Sequence, residues 1–362
     1  MKEERQSNIE LLRIILMLMI VFFHYYIHGI GLNNNLTLNN LILQSICFAG
    51  KIAVNVFVII SGYYLINLKF SLIKFIKFVF QIKFYDVTIM FLSMYLGYIT
   101  LTKDILFKSI FPLASMNWFA SVYIILYLLT PIINFVLRVV KKEILLKGIV
   151  LLFIVFIVLP SLFYYKFQSN MLVLFLILYS IGAYLRLHCG LTANEYSCVA
   201  KKIVFFSICM CYITIFAMDV LGNLFNYTKG IFYFVSSYSV FSWTMSIGIF
   251  LWFKNLRVNN NRYINFIAST VFGVYLIHDN PLISKFIWVE LLKTNLFYYS
   301  ETIILLLHCV LSVITVFVVC SIIEIVRMYL FDSYLLKSVD KKLTRLQEVI
   351  DFYISSLVKR LS

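Results

Sequence analysis

Residues 8–29 read NIELLRIILMLMIVFFHYYIHG, an apolar run broken by Glu10, Arg13, His24 and His28. A helix needs about 17–25 apolar residues to cross the hydrocarbon of a bilayer, and this run is long enough. Similar segments recur along the 362-residue chain, at roughly 9–29, 44–66, 78–100, 117–137, 147–164, 171–187, 203–221, 231–253, 264–284 and 300–326. The chain is 62% hydrophobic and 13% charged, whereas soluble proteins are nearer half apolar and a quarter charged. So little polar surface excludes a soluble enzyme, a disordered chain and a small secreted module. The expected fold is all-α, a polytopic membrane bundle of about ten transmembrane helices.

The charge is the second constraint. Lys and Arg number 31 against 16 Asp and Glu, a net +15. In a soluble protein that excess would suggest a nucleic-acid partner. With a cytoplasmic amino terminus and ten spans, 22 of the bases fall on the inside, six outside and three within spans. The positive-inside rule accounts for that bias, so both termini are expected in the cytoplasm, and nucleic acid drops out as a partner. Arg13 interrupts the first span where a signal peptide has its hydrophobic region, and no small-residue cleavage site follows, so the span is expected to be retained.

Ionisable groups within spans cost several kcal/mol unless paired or wetted, and so mark candidate sites. At about 100° and 1.5 Å per residue, the eleven residues from Arg13 to His24 return to the same helix face within about 20° and climb about 16 Å. Glu10, three residues before Arg13, shares that face and can orient the guanidinium. The plain alternative is that Arg13 snorkels to the inner headgroups and His24 sits at the outer interface. His28 is expected at that interface. The ninth span ends TVFGVYLIHDNPL (residues 270–282), with Tyr275 on the face of His278, Asp279 beside it, and Pro281 expected to kink or end the helix. An Asp at that depth implies a polar cavity.

Other polar positions are weaker signals. The second span holds Asn55, Ser61 and Gly62, and helix packing explains the last two as well as chemistry does. Trp118 and Tyr123 open the fourth span, where an aromatic belt explains them. Lys83 and Asp86, three apart, neutralise one another; His308, Asp219 and Glu324–Arg327 are expected to be structural. The seven Cys show no zinc spacing and no disulfide pattern; no metal is expected. The sequons at Asn35 and Asn226 are read as chance.

Two domains are expected, a transmembrane unit at 1–330 and a basic amphipathic tail helix at 331–362. In the tail, Leu336, Val339, Leu343, Leu346, Ile350, Tyr353 and Leu357 alternate spacings of three and four. A helix lying on the inner leaflet is the first reading; a dimerising coil, and so a homodimer, is the second.

Taken together, the motifs resemble the acyltransferase family 3, the bacterial membrane O-acyltransferases of surface polysaccharides. The match runs in order: Arg13 and His24 eleven apart; the Val-Asn-x-Phe…Ser-Gly-Tyr stretch of span two; a Lys-rich entry to span three; Trp-Phe…Tyr…Pro-x-x-Asn in span four; and Phe-Gly-x-Tyr-Leu-x-His in span nine. The chain looks most like the variants found in capsule and exopolysaccharide clusters. Many relatives have an acidic residue where Asn55 stands, and Arg where Lys74 and Lys77 stand. Many also carry an extracellular esterase-like domain, for which the tail is too short.

The resemblance implies a multi-pass protein of the bacterial plasma membrane. It implies cytoplasmic acyl-coenzyme A as donor, with acetyl-CoA the leading candidate, and as acceptor a hydroxyl of a cell-surface polysaccharide or its lipid-linked precursor. Arg13, with Lys74 and Lys77, would pair with the donor phosphates. His24 would act as general base on the acceptor hydroxyl, or carry the acyl group itself. His278 and Tyr275 would line the acceptor side, Trp118 would stack on a sugar, and Ser61 and Asn55 are candidate oxyanion donors. The competing function is a transporter or flippase of lipid-linked saccharides, which commonly shows internal repeats; none is apparent between the halves. A polysaccharide polymerase would carry a larger outer loop.

Overall fold

A computed structural model describes residues 6–32, 35–163, 170–189, 194–225, 232–332 and 347–348. The expected tail helix and the sequon at Asn226 fall almost wholly outside these. The chain is helical throughout, with no strand among the described residues. The helices are α1 (Ser7–Gly29), α2 (Leu38–Cys47), α3 (Gly50–Leu65), α4 (Leu72–Tyr95), α5 (Lys103–Ile110), α6 (Trp118–Val139), α7 (Lys142–Phe153) and α8 (Leu159–Phe163). They continue with α9 (Met171–His188), α10 (Asn194–Phe225), α11 (Val240–Lys254), α12 (Arg262–His278), α13 (Thr294–Phe297) and α14 (Thr302–Arg327).

Among the described residues, eight spans are long and apolar enough to cross a membrane, α2–α3 and α7–α8 each counting as one. The other two expected spans are helical but fall short of that standard. Helix α4 carries Lys74, Lys77, Lys83 and Asp86, and α12 has 17 residues. Helix α12 stops at His278, short of the expected 284, because Asp279 and Asn280 leave the helix ahead of Pro281.

Short polar side chains set the helix ends. Thr37, Ser71, Thr102, Asn170, Ser239 and Asn261 each accept a first-turn amide, the usual cap for orphaned N–H groups. At the end of the bundle bearing the α1 amino terminus, Asn8 Nδ2 donates to the carbonyls of Phe253, Lys254 and Leu256 at 3.0, 3.1 and 3.2 Å. These are C-terminal carbonyls of α11 and its exit, beyond the regular hydrogen-bond ladder of the helix. Asn134 and Arg138 of α6 likewise donate to the carbonyls of Leu65 and Ile66, at the end of α3. Pro131 inside α6 leaves the Tyr127 carbonyl without its helical donor, and the Thr130 hydroxyl supplies one at 2.6 Å.

Helices α3 and α9 cross backbone on backbone. A Cβ on Gly62 would lie 2.1 Å from the Tyr179 carbonyl oxygen, and one on Gly182 would lie 2.2 Å from that of Ile59. Glycine is required on both sides of this contact, so Gly62 serves packing.

Two buried ion pairs brace α4. Glu324 of α14 receives Arg327 at 2.8 Å, Gln81 at 2.9 Å and the Tyr85 hydroxyl at 2.6 Å. Lys83 donates to Asp86 at 2.7 Å and to the carbonyls of Lys108 and Ala114 at 2.7 and 2.6 Å. Asp86 in turn accepts Ser115 Oγ at 3.2 Å and the Met116 amide at 3.3 Å.

Candidate functional site

Helices α1, α3, α4, α6 and α12 surround a cavity of about 1060 Å³, at the upper end of the roughly 300–1,000 Å³ usual for small-molecule sites. Helix α1 presents Gln6, Glu10, Arg13, Met17 and Ile20 to it, a stripe at spacings of three and four that His24 continues. Helix α12 presents Phe272 and Tyr275, and the same stripe continues to His278 and Asp279. Along α1 the cavity therefore runs from the amino-terminal end past Arg13 and ends one helical turn short of His24.

At its beginning, Arg13 Nη1 donates to Glu10 Oε2 at 2.9 Å, with the Arg13 side chain 30% exposed. Lys74 lines this part of the cavity, and Lys77 does not. In the middle, Ser61 Oγ gives its proton to the Phe57 carbonyl at 2.9 Å and therefore accepts from Tyr123 Oη at 2.8 Å. The far end is roofed by Phe119 and Tyr275, whose rings meet edge-on at 5.7 Å. Tyr275 Oη makes no hydrogen bond although buried, and neither side-chain polar atom of Asn117 does. Such orphans are costly unless something else satisfies them.

Beyond the roof lies a compact polar cluster. His24 Nδ1 is 2.9 Å from His278 Nε2, and His278 Nδ1 is 2.6 Å from the Val274 carbonyl oxygen. His24 Nε2 is 3.3 Å from Asp279 Oδ1, which also receives His28 Nε2 at 2.9 Å. Asp279 is thus paired, as its depth required, but His28 belongs to the cluster and not simply to an outer interface. His24, His28 and Asp279 offer ligand atoms within 4.8 Å of one another, a spacing that a cation would also accept. The hydrogen bond between His28 and Asp279 already occupies two of these atoms.

Of the residues singled out from sequence, Glu10, Arg13, Ser61, Lys74 and Tyr275 line the cavity, and His24 and His278 meet above it. Lys77, Asn55 and Trp118 lie apart from both. Asn55 is fully buried, with Nδ2 3.4 Å from the Ser237 carbonyl and Oδ1 unpartnered, and does not line the cavity. Trp118 is 43% exposed and packs on Phe119 and Phe175, a place that suits an aromatic belt. Sequence reasoning passed over His28, Asn117 and Phe119. For His28 the signal was present: it lies one turn after His24, on the same face.

Compared with known proteins, a family described as an acyltransferase domain matches residues 6–325 of the chain. No curated protein and no solved structure matches it.

Proposed function

The chain belongs to the acyltransferase family 3, and on that premise we propose that this multi-pass membrane acyltransferase moves an acetyl group from acetyl-CoA to a hydroxyl of a cell-surface polysaccharide or its lipid-linked precursor. The observation that carries this reading is the cavity that joins the Arg13–Glu10 pair to the foot of the His24 cluster. A donor with a phosphorylated end and a reactive thioester end needs that polarity. Arg13 and Lys74 take the phosphates, Arg13 through the forked contact that guanidinium makes with phosphate, while Glu10 holds the fork in place. The pantetheine arm follows the apolar wall of Met17, Ile20 and Phe57 toward Tyr275.

At the far end the thioester carbonyl meets the hydroxyl of Tyr275, a buried group that lines the cavity and has no hydrogen-bond partner there. Donors fixed where negative charge develops are worth more than the same donors in water. His24 acts as general base on the acceptor hydroxyl, which approaches from the Asp279 side. The rise from Arg13 to His24, about 16 Å along one unbroken helix, keeps donor recognition and chemistry apart. The host is bacterial and the membrane its plasma membrane.

The test is direct. Purified wild-type protein should release free coenzyme A from acetyl-CoA, and His24→Ala should not. In cells, NMR of the surface polysaccharide should show O-acetyl groups with the wild-type chain and none with His24→Ala, at equal protein level in the membrane. Normal acetylation in His24→Ala cells would refute the assignment. Thioester inertness of the wild-type protein, with saccharide movement across vesicles in its place, would favour a flippase.

A further inference from the structure

The hydrogen bonds around His24 fix which nitrogen of its ring is free to react. A carbonyl oxygen can only accept, so the 2.6 Å contact to Val274 places a proton on His278 Nδ1. Neutral His278 then offers only a lone pair at Nε2. The 2.9 Å contact to His24 Nδ1 therefore requires that nitrogen to carry the proton. His278 is fully buried and does not line the cavity described above, so solvent does not compete for that bond. What remains on His24 is Nε2, and it faces Asp279 Oδ1 at 3.3 Å. His28 Nε2, at 2.9 Å from the same oxygen, holds the carboxylate in place.

We propose that His278 is a positioning residue that locks His24 in the Nδ1–H form, and that Asp279, oriented by His28, stabilises the proton which His24 Nε2 takes up during transfer. The tautomer rests on geometry alone; its use in catalysis rests on the acyltransferase reading above. The arrangement departs from the serine-protease pattern, in which a carboxylate orients the ring from behind the base. Here an imidazole does the orienting, and the carboxylate sits on the reacting side. In the resting ring the Nε2 lone pair opposes an anionic oxygen and makes no bond with it. An acceptor hydroxyl entering there donates to Nε2.

The step balances within these groups. The acceptor O–H bond breaks, its proton goes to Nε2, and its electron pair forms the new C–O bond at the thioester carbonyl carbon. The imidazolium is then bonded at both nitrogens, to His278 and to Asp279. As the C–S bond breaks, the sulfur leaves with the electron pair and takes the proton from Nε2, releasing coenzyme A as the thiol. His24 returns to its starting form.

Two measurements on the full chain in bilayers test this. The first is 15N NMR of protein labelled at its five histidines, with the His24 signals assigned by their loss in His24→Gln. The expected spectrum shows His24 Nδ1 protonated; a bare Nδ1 would overturn the proposal. The second is acyl-transfer kinetics. His278→Leu, which cannot accept a hydrogen bond, should lower kcat about 100-fold with the donor KM unchanged within about twofold. His278→Gln, whose amide oxygen can accept from Nδ1–H, should stay within about tenfold of wild type. Equal losses in the two variants, or a loss confined to KM, would mean a purely structural role and sink the idea. Wild-type protein with a protonated Nδ1 but no transfer would refute the enzyme reading and leave the tautomer standing. Transfer with a bare Nδ1 would do the reverse.

Discussion

Replacing Arg13 by Ala removes one end of the donor cavity without touching the other. The guanidinium has Glu10 as a partner at 2.9 Å and lines the cavity in which the proposed donor would place its phosphates. A hydrogen bond to a charged group is worth about 1.5–3 kcal/mol, which is about 10- to 150-fold in affinity. The Arg13 side chain is 30% exposed, so solvent screens the contact and the lower end applies, near tenfold. His24 lies about 16 Å farther along the same helix, out of reach of this change. Steady-state acyl transfer in nanodiscs, with acetyl-CoA varied at saturating acceptor, should show the donor KM rising about tenfold and kcat holding within about twofold. Arg13→Lys should fall between, because it keeps the charge and loses the fork. In cells with donor below the original KM, acylation should drop about tenfold. If Arg13→Ala lowered kcat as far as His24→Ala and left KM alone, this division of labour between the two ends of α1 would be wrong.

Two further outcomes follow from the packing. Tyr275→Phe deletes a buried hydroxyl that makes no hydrogen bond in the protein, so the melting temperature should not fall. If that hydroxyl meets the thioester, kcat should drop about 100-fold; an unchanged kcat would remove Tyr275 from the chemistry. Gly62→Val sets a Cβ 2.1 Å from the Tyr179 carbonyl. It should cost more than about 4 kcal/mol and abolish the monodisperse peak in size-exclusion chromatography. Gly148→Val, with nothing within 4 Å, should leave the peak unchanged.

What the sequence made legible was whatever lies within one helix. Arg13, Glu10 and His24 share a face because 3.6 residues per turn says so, and α1 carries them that way without a break. An Asp as deep in an apolar span as Asp279 likewise demands a partner on energetic grounds alone. Which partner was another matter. His24 and His278 are 254 residues apart and His28 and Asp279 are 251 apart, and no local pattern encodes a contact at such separation. Asn55 shows the limit from the other side. Its place in an apolar run made it a candidate for chemistry, but α3 turns it toward the Ser237 carbonyl and away from the cavity. The faces that α3 and α9 share are set by two glycines whose relation emerges only when the backbones meet.

The bracing of α4 bears on how the protein is assembled. By its own composition α4 enters a bilayer poorly, since Lys83 and Asp86 lie in its apolar stretch and unpaired charges there are expensive. The groups that complete their hydrogen bonds, from Lys108 to Met116, follow α4 in the chain. The helix is therefore secured retroactively, once the following loop has folded back over it. That loop leads directly into Trp118 and Phe119, where α6 begins and the cavity is roofed. The same loop therefore ties the roof of the cavity to its α4 wall, and a chain lacking those contacts would lose the support of both.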